Sequence, residues 1–212
     1  MVERKNELDT RASLLLLGCC LFWGMQQVLI KVTLAEVPPI WQAALRFMLA
    51  TLVLLAWMRA KGISLDLHDG TLKVGGWVGL LFTAEFVCIY LGMQHTSASR
   101  LTIFLYTAPF WVAVCLPLSA KSERMRPLQW AGLVLAFGSV GFGLRDGLGA
   151  SQAPDQWLGD LLALGAGAFW GLTTVAIRST SLSVVRAEKM LLYQIANAAL
   201  VLPVMAWAMG ED

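Results

Sequence analysis

Apolar residues gather along the chain into seven runs separated by short polar links, at about Ala12–Leu34, Pro39–Met58, Val74–Met93, Ser99–Leu118, Leu128–Leu144, Trp157–Ile177 and Met190–Met209. Each run is close to the roughly 20 residues that an α-helix needs to cross a bilayer. Inside the runs, polar positions fall at helical spacing: Trp23, Gln26, Gln27 and Ile30 recur at i, i+3, i+4 and i+7. The pattern predicts seven transmembrane helices. The first run is too long for a signal-peptide core and no small-residue cleavage site follows it, so it is expected to be retained. The links are too short for a separate soluble domain.

Composition agrees. Hydrophobic residues make up 58% of the 212 and charged residues 14%, against roughly 25% charged in a soluble domain. The expected fold is therefore an all-α integral membrane protein, a polytopic helical bundle whose main partner is the lipid bilayer. A net charge of +2, without long basic runs, offers nothing to nucleic acid.

The cations set an orientation. Arg4, Lys5 and Arg11 precede the first span; Arg59, Lys61 and Lys73 join spans two and three; Lys121, Arg124 and Arg126 join four and five; Arg178, Arg186 and Lys189 join six and seven. The other links carry only Arg100 and Arg145, and Lys31 and Arg46 lie within spans. Positive charge marks the cytoplasmic side, which places the N-terminus inside and the residues after span seven outside, in a plasma membrane or, for a bacterium, the inner membrane.

A motif recurs. Phe22-Trp23-Gly24 in span one returns as Phe169-Trp170-Gly171 in span six, 147 residues on, and Lys31 returns at the same offset as Arg178. A repeating unit of five spans must enter the membrane upside down the second time. Inverted repeats of this kind enclose midplane sites in secondary transporters.

The segments "FWGMQQVLIKVTL", "PPIWQAALRFMLATLVLL", "AEFVCIYLGMQHTSASRLTIFLYTAPFWVAV" and "SERMRPLQWAGLVLAFGSVGF" cover spans one to five, and "ALGAGAFWGLTTVAIR" opens a second unit. Together they resemble the drug/metabolite transporter superfamily, specifically the EamA-type permeases. The resemblance implies ten spans in two inverted units, of which seven are present here. Residues 12–144 would then be the first repeat, and residues 157–212 an incomplete second repeat of two spans. A fragment of a longer protein is the expectation, with a truncated gene or a partner supplying helices as alternatives. The resemblance further implies a secondary carrier exporting small metabolites, such as amino acids or related compounds, by alternating access. It places span five at the periphery, where a homodimer contact is conceivable.

Ionisable groups at bilayer depth are costly and are where function is first sought. Glu85 and Arg46 lie about 12 Å and 10 Å below the outer ends of their spans at 1.5 Å per residue, a matching depth that suggests an ion pair. Such a pair either fixes helix register or gates a substrate or proton. Lys31 and Arg178 sit near opposite membrane faces. Their stems can snorkel to headgroups, with attraction for anionic substrate groups as the second reading. Trp23, Gln26 and Gln27, with Trp170, Thr173 and Thr174, present polar faces that suit a substrate cavity or simple helix–helix bonding. Span four adds Ser99, Thr102, Tyr106 and Pro109 along one stripe. Pro109 cannot donate to the Leu105 carbonyl, so protein or cavity water must replace that bond. Gly75-xxx-Gly79 and Gly167-xxx-Gly171 permit close helix approach, and Gly132, Ala136, Ser139 and Gly143 make a small-residue side on span five.

Enzyme chemistry has little support. Cys19, Cys20, Cys88 and Cys115 show no metal-ligand spacing, His68 and His95 fall in loops on opposite sides, and no phosphate-binding loop is present. No metal or cofactor is expected, and energy would come from a gradient. Other seven-helix classes fit less well: a retinal protein needs a lysine deep in span seven, and a receptor leaves the repeat unexplained. A channel, or an inactive fragment of a transporter, stays open as an alternative.

Overall fold

The computed structural model describes residues 10–63, 65–66, 69–119, 124–146 and 154–211. His68 and Lys121, and the cations Arg4 and Lys5 of the N-terminal tail, lie outside the described residues. The helices run α1 (Thr10–Thr33), α2 (Pro39–Ala60), α3 (Leu72–His95), α4 (Ala98–Leu105), α5 (Ala108–Ser119), α6 (Pro127–Gly143), α7 (Gln156–Ser179) and α8 (Ala187–Ala208), with a 3₁₀ turn at Ser181–Val184. Taking α4 and α5 as one crossing, six helices are long and apolar enough to span a membrane, and α6 is a shorter apolar helix. The described residues form no strand.

Span four departs from expectation. It is two helices, broken at Tyr106 and Thr107. The cause is local: Pro109 has no N–H to return to Leu105, and the N–H and hydroxyl of Thr107 turn back to the Phe104 carbonyl at 3.1 and 2.7 Å. Ser97 caps the start of α4, accepting from the Arg100 N–H at 3.2 Å.

At the centre lies α3, which packs against α7, α8 and α2. Glycines set how closely. A Cβ at Gly75 would stand 2.5 Å from the Tyr193 ring, and one at Gly79 would stand 2.5 Å from the Tyr193 carbonyl oxygen. On α7, a Cβ at Gly167 would meet the Phe104 and Leu105 carbonyl oxygens at 2.9 and 3.0 Å, and one at Gly171 would meet Ala108 O at 2.9 Å. Both predicted Gly-xxx-Gly pairs are thus points of close helix approach, and the second seats α7 directly on the broken span. Around them Phe47, Phe82 and Phe86 form an edge-on aromatic cluster, with ring centroids 4.7–5.4 Å apart.

Two helices are sparsely covered. Most of α1 is exposed, and α6 buries none of its residues. The small-residue side of α6 does not pack within the chain: nothing approaches within 4 Å of a Cβ at Gly132 or Gly143. Small residues permit a close neighbour but do not supply one.

Glu211 ties the end of α8 to the start of α2. One carboxylate oxygen accepts from the Ile40 and Trp41 N–H groups at 2.9 and 3.0 Å, and the Trp41 indole N–H donates to the Glu211 carbonyl at 2.6 Å. A carboxylate at a helix N-terminus satisfies orphan donors and meets the positive end of the helix dipole.

Gly79→Ala and Gly171→Ala are expected to lower stability in detergent by about 1–3 kcal/mol, as overpacking generally does. Gly132→Ala, which has open space around it, should unfold like the parent. Coincident denaturation midpoints for all three variants would show that the α3–α8 and α5–α7 contacts are looser than described.

Candidate functional site

The tryptophans of the repeated motif touch each other. Trp23 of α1 and Trp170 of α7 meet edge to face, with ring centroids 5.5 Å apart and planes at 64°. Tyr106, at the break in span four, lies 6.5 Å from Trp170. The three rings, with Gln27 and Thr102, wall a small cavity of about 50 Å³ completed by Gly24 and Leu105. The Thr102 hydroxyl donates to Ala98 O at 2.7 Å, so towards the cavity it can only accept. Gln27 Oε1 is buried without a hydrogen-bond partner among the described residues. Such an orphan invites a donor from water or a ligand.

A second cavity, of about 820 Å³, shares Trp170 with the first. Its walls come from Pro109, Val112 and Leu116 of α5, Leu128 and Leu133 of α6, and Thr174 of α7, and Arg124, Arg126 and Arg178 line it as well.

Other expected residues sit elsewhere. The Gln26 amide oxygen accepts from Arg46 at 3.0 Å, and Arg46 also donates to the Tyr90 hydroxyl at 3.4 Å. Its guanidinium carbon lies 5.4 and 5.5 Å from the Phe47 and Phe86 ring centroids, a cation–π arrangement. The expected Glu85–Arg46 ion pair is absent among the described residues. Glu85 is buried at 6% exposure and has no hydrogen bond or salt bridge there. The reason is azimuth. Phe82, Phe86 and Tyr90 turn one stripe of α3 towards α2, whereas Cys88 and Gly92, three and seven residues beyond Glu85, face Gly165 and Gly159 of α7.

Thr173 is not part of either cavity wall; its hydroxyl is buried without a partner among the described residues. Thr174 lines the larger cavity in its place. Lys31 does not snorkel: its ammonium donates to the carbonyls of Met93 and of Thr96, the latter at 3.0 Å, and so caps the C-terminus of α3. Arg178, by contrast, stands at the larger cavity.

Polar locks that the sequence pattern did not reveal hold both ends of the bundle. At the Lys31 end, Arg100 makes a two-pronged ion pair with Asp160, its Nε donating to one carboxylate oxygen at 3.1 Å, and the Thr96 hydroxyl donates to that same oxygen at 3.0 Å. At the other end, Lys189 bonds to Asp69 at 2.6 Å and lies 5.6 Å from the Tyr193 ring centroid. The Thr71 hydroxyl donates to Asp69 at 2.6 Å and sits 2.8 Å from the Tyr193 hydroxyl. The Lys189 bond, then that from Thr71, holds the Asp69 carboxyl down to about 2. The only available signal was an acid at the edge of a span, which by itself names no partner.

Residues 10–144 match the EamA-like transporter family. The chain belongs to that family and is a multi-pass membrane protein. It is 28% identical over 174 residues to an uncharacterized transporter of Archaeoglobus fulgidus, covering 79% of this chain and 57% of that one. It is likewise 28% identical over 149 residues to a protein of Escherichia coli named a probable amino-acid metabolite efflux pump, covering 70% of this chain and 47% of that one. The chain spans about half the length of the curated relatives it matches. One crystal structure superposes with a TM-score of 0.65 at 23% identity, over 89% of this chain and 67% of that one, and so shares its fold.

Asp69 is held below the about 3.9 of a free aspartate. Its contribution to stability is therefore present above pH about 4 and lost as pH falls towards 2. Thermal unfolding across that window should fall more steeply for the parent than for Asp69→Asn. Parallel pH profiles would show that Asp69 is not held in this way.

Proposed function

We propose that the chain is part of a secondary carrier that exports small metabolites, amino acids or related compounds, by alternating access. In this reading Trp23, Gln27, Thr102, Tyr106 and Trp170 form a central constriction. Substrate reaches it through the larger cavity, past Trp170.

The observation that carries the reading is the contact between Trp23 and Trp170. If the two motifs are copies related by a two-fold axis in the membrane plane, that axis exchanges these residues and must pass through their contact. An inverted-repeat carrier places its substrate site there. Helix lengths support the repeat: α1 and α7 each have 24 residues, and α2 and α8 each have 22. So does the asymmetry of loop cations, which favours a cytoplasmic N-terminus and puts Arg124, Arg126 and Arg178 on the cytoplasmic side. The larger cavity then opens inward. The bonds from Lys31 and the Arg100–Asp160 pair close the opposite end.

Roles follow from this arrangement. Gln27 Oε1 accepts from a substrate N–H, the rings grip its apolar part, and Tyr106, at the break between α4 and α5, can move with α5 against α4. Glu85 is the coupling group: a buried carboxylate between packed helices, with no ion-pair partner among the described residues, suits proton carriage better than structure. No chemistry on the substrate is required. The amino-acid class rests on the name given to the Escherichia coli relative.

Efflux of preloaded radiolabelled amino acids from vesicles carrying the protein tests this. Gln27→Ala and Trp170→Ala should each slow efflux by about tenfold or more, equivalent to about 1.4 kcal/mol, with membrane insertion unchanged. Glu85→Gln should remove the dependence on a pH gradient. Parental efflux from both cavity variants would contradict the reading.

A further inference from the structure

We propose that the small cavity between Trp23, Tyr106 and Trp170 seats a primary ammonium group, which makes the exported compound a primary amine recognised by its nitrogen. This rests on the carrier reading and deepens it, because it names the group that the constriction selects.

Hydrogen-bond polarity is the first argument. Two side-chain oxygens of this wall are free to accept. Gln27 Oε1 is buried without a partner among the described residues, and the Thr102 hydroxyl has given its hydrogen to Ala98 O at 2.7 Å. A guest that satisfies both must bring its own hydrogens. A primary ammonium brings three, whereas a carboxylate or a quaternary ammonium brings none.

Charge is the second. Three aromatic rings, with Gly24 and Leu105, make up the rest of the wall, and none of the seven lining residues is charged. Ring faces are negative and attract a cation within about 6 Å of the centroid, tryptophan most strongly. The centroid of Trp170 lies 5.5 Å from that of Trp23 and 6.5 Å from that of Tyr106, so one small cation among them is close to more than one ring. An anion is repelled by the same faces and by the same oxygens.

Size is the third. A space of about 50 Å³ holds a group of a water molecule's size and little more. An ammonium head is of that size, and three added methyl groups exceed it. Only the head enters. The rest of the molecule lies against the outer side of the rings and in the larger cavity, which shares Trp170.

Three compounds with one common body test this: L-phenylalanine, 3-phenylpropionate, which lacks the amine, and N,N,N-trimethyl-L-phenylalanine. Binding of each to the chain in phosphatidylcholine nanodiscs is measured against empty discs, in sodium-free buffer and again with sodium added. Phenylalanine is expected to bind at least about tenfold more tightly than either of the others. Tyr106 is 39% exposed and so can be replaced with little loss of packing. Tyr106→Phe should keep the preference. Tyr106→Leu and Gln27→Leu should each erase most of it, by weakening phenylalanine rather than by strengthening 3-phenylpropionate.

Equal binding of phenylalanine and 3-phenylpropionate overturns the assignment. So does a trimethyl compound that binds as tightly as phenylalanine, or a preference that survives both Tyr106→Leu and Gln27→Leu. A preference that sodium abolishes gives the cavity to an alkali cation and overturns it too. Efflux of labelled phenylalanine from vesicles separates the two readings. Efflux without an amine preference removes only this inference, and an amine preference without efflux contradicts the carrier reading alone.

Discussion

Hydrocarbon offers no hydrogen bonds to a broken helix, and this constraint organises the molecule. Pro109 removes the donor to the Leu105 carbonyl, span four breaks at Tyr106 and Thr107, and the backbone oxygens of Phe104, Leu105 and Ala108 face a neighbour there. Only glycine lets that neighbour come close enough: Gly167 and Gly171 bring α7 against those oxygens. The Thr107 N–H and hydroxyl both donate to the Phe104 carbonyl at the break. The same seating fixes Trp170 beside Tyr106 and Trp23. The meeting of these three rings thus follows from how α7 is seated on the broken span.

Charges reinforce this at the ends of the helices, where water begins. Lys31 caps α3, Glu211 caps α2, Arg100 joins Asp160, and Lys189 joins Asp69. The last three join α7, α8 or the residues after α8 to α4, α2 or the link between α2 and α3. Half-buried pairs of this kind stabilise mainly through complete hydrogen bonding, which Thr96 and Thr71 help provide. Glu85 stands apart, since it is the carboxylate buried mid-helix and carries no such bond among the described residues.

What could be read from the sequence was whatever depends on spacing along one helix. The apolar runs gave the crossings, the Phe-Trp-Gly pair gave two tryptophans that touch, and two Gly-xxx-Gly pairs gave the tight contacts. Pro109 announced a missing bond but not that span four would become two helices, because the response depended on Thr107 and on the glycines of α7. Facts set by rotation between helices were not legible. Equal depth suggested pairing Glu85 with Arg46, yet α3 turns Phe86 and Tyr90 to Arg46 instead. Lys31 read as a snorkelling side chain because nothing in its own span marks the carbonyls of Met93 and Thr96 that end α3. Asp160 and Asp69 were unreadable for the same reason.

The central claim is that a water-filled path runs from the arginine end of α7 to Trp170. Thiol accessibility tests it most directly. Cys19, Cys20, Cys88 and Cys115 are replaced, and single cysteines are placed at Thr174 and Arg178 in sealed vesicles. A membrane-impermeant maleimide should label both positions from the same face of the bilayer, with Thr174→Cys reacting more slowly because it lies deeper. Labelling of Arg178→Cys alone, or of Thr174→Cys only from the opposite face, would contradict the account.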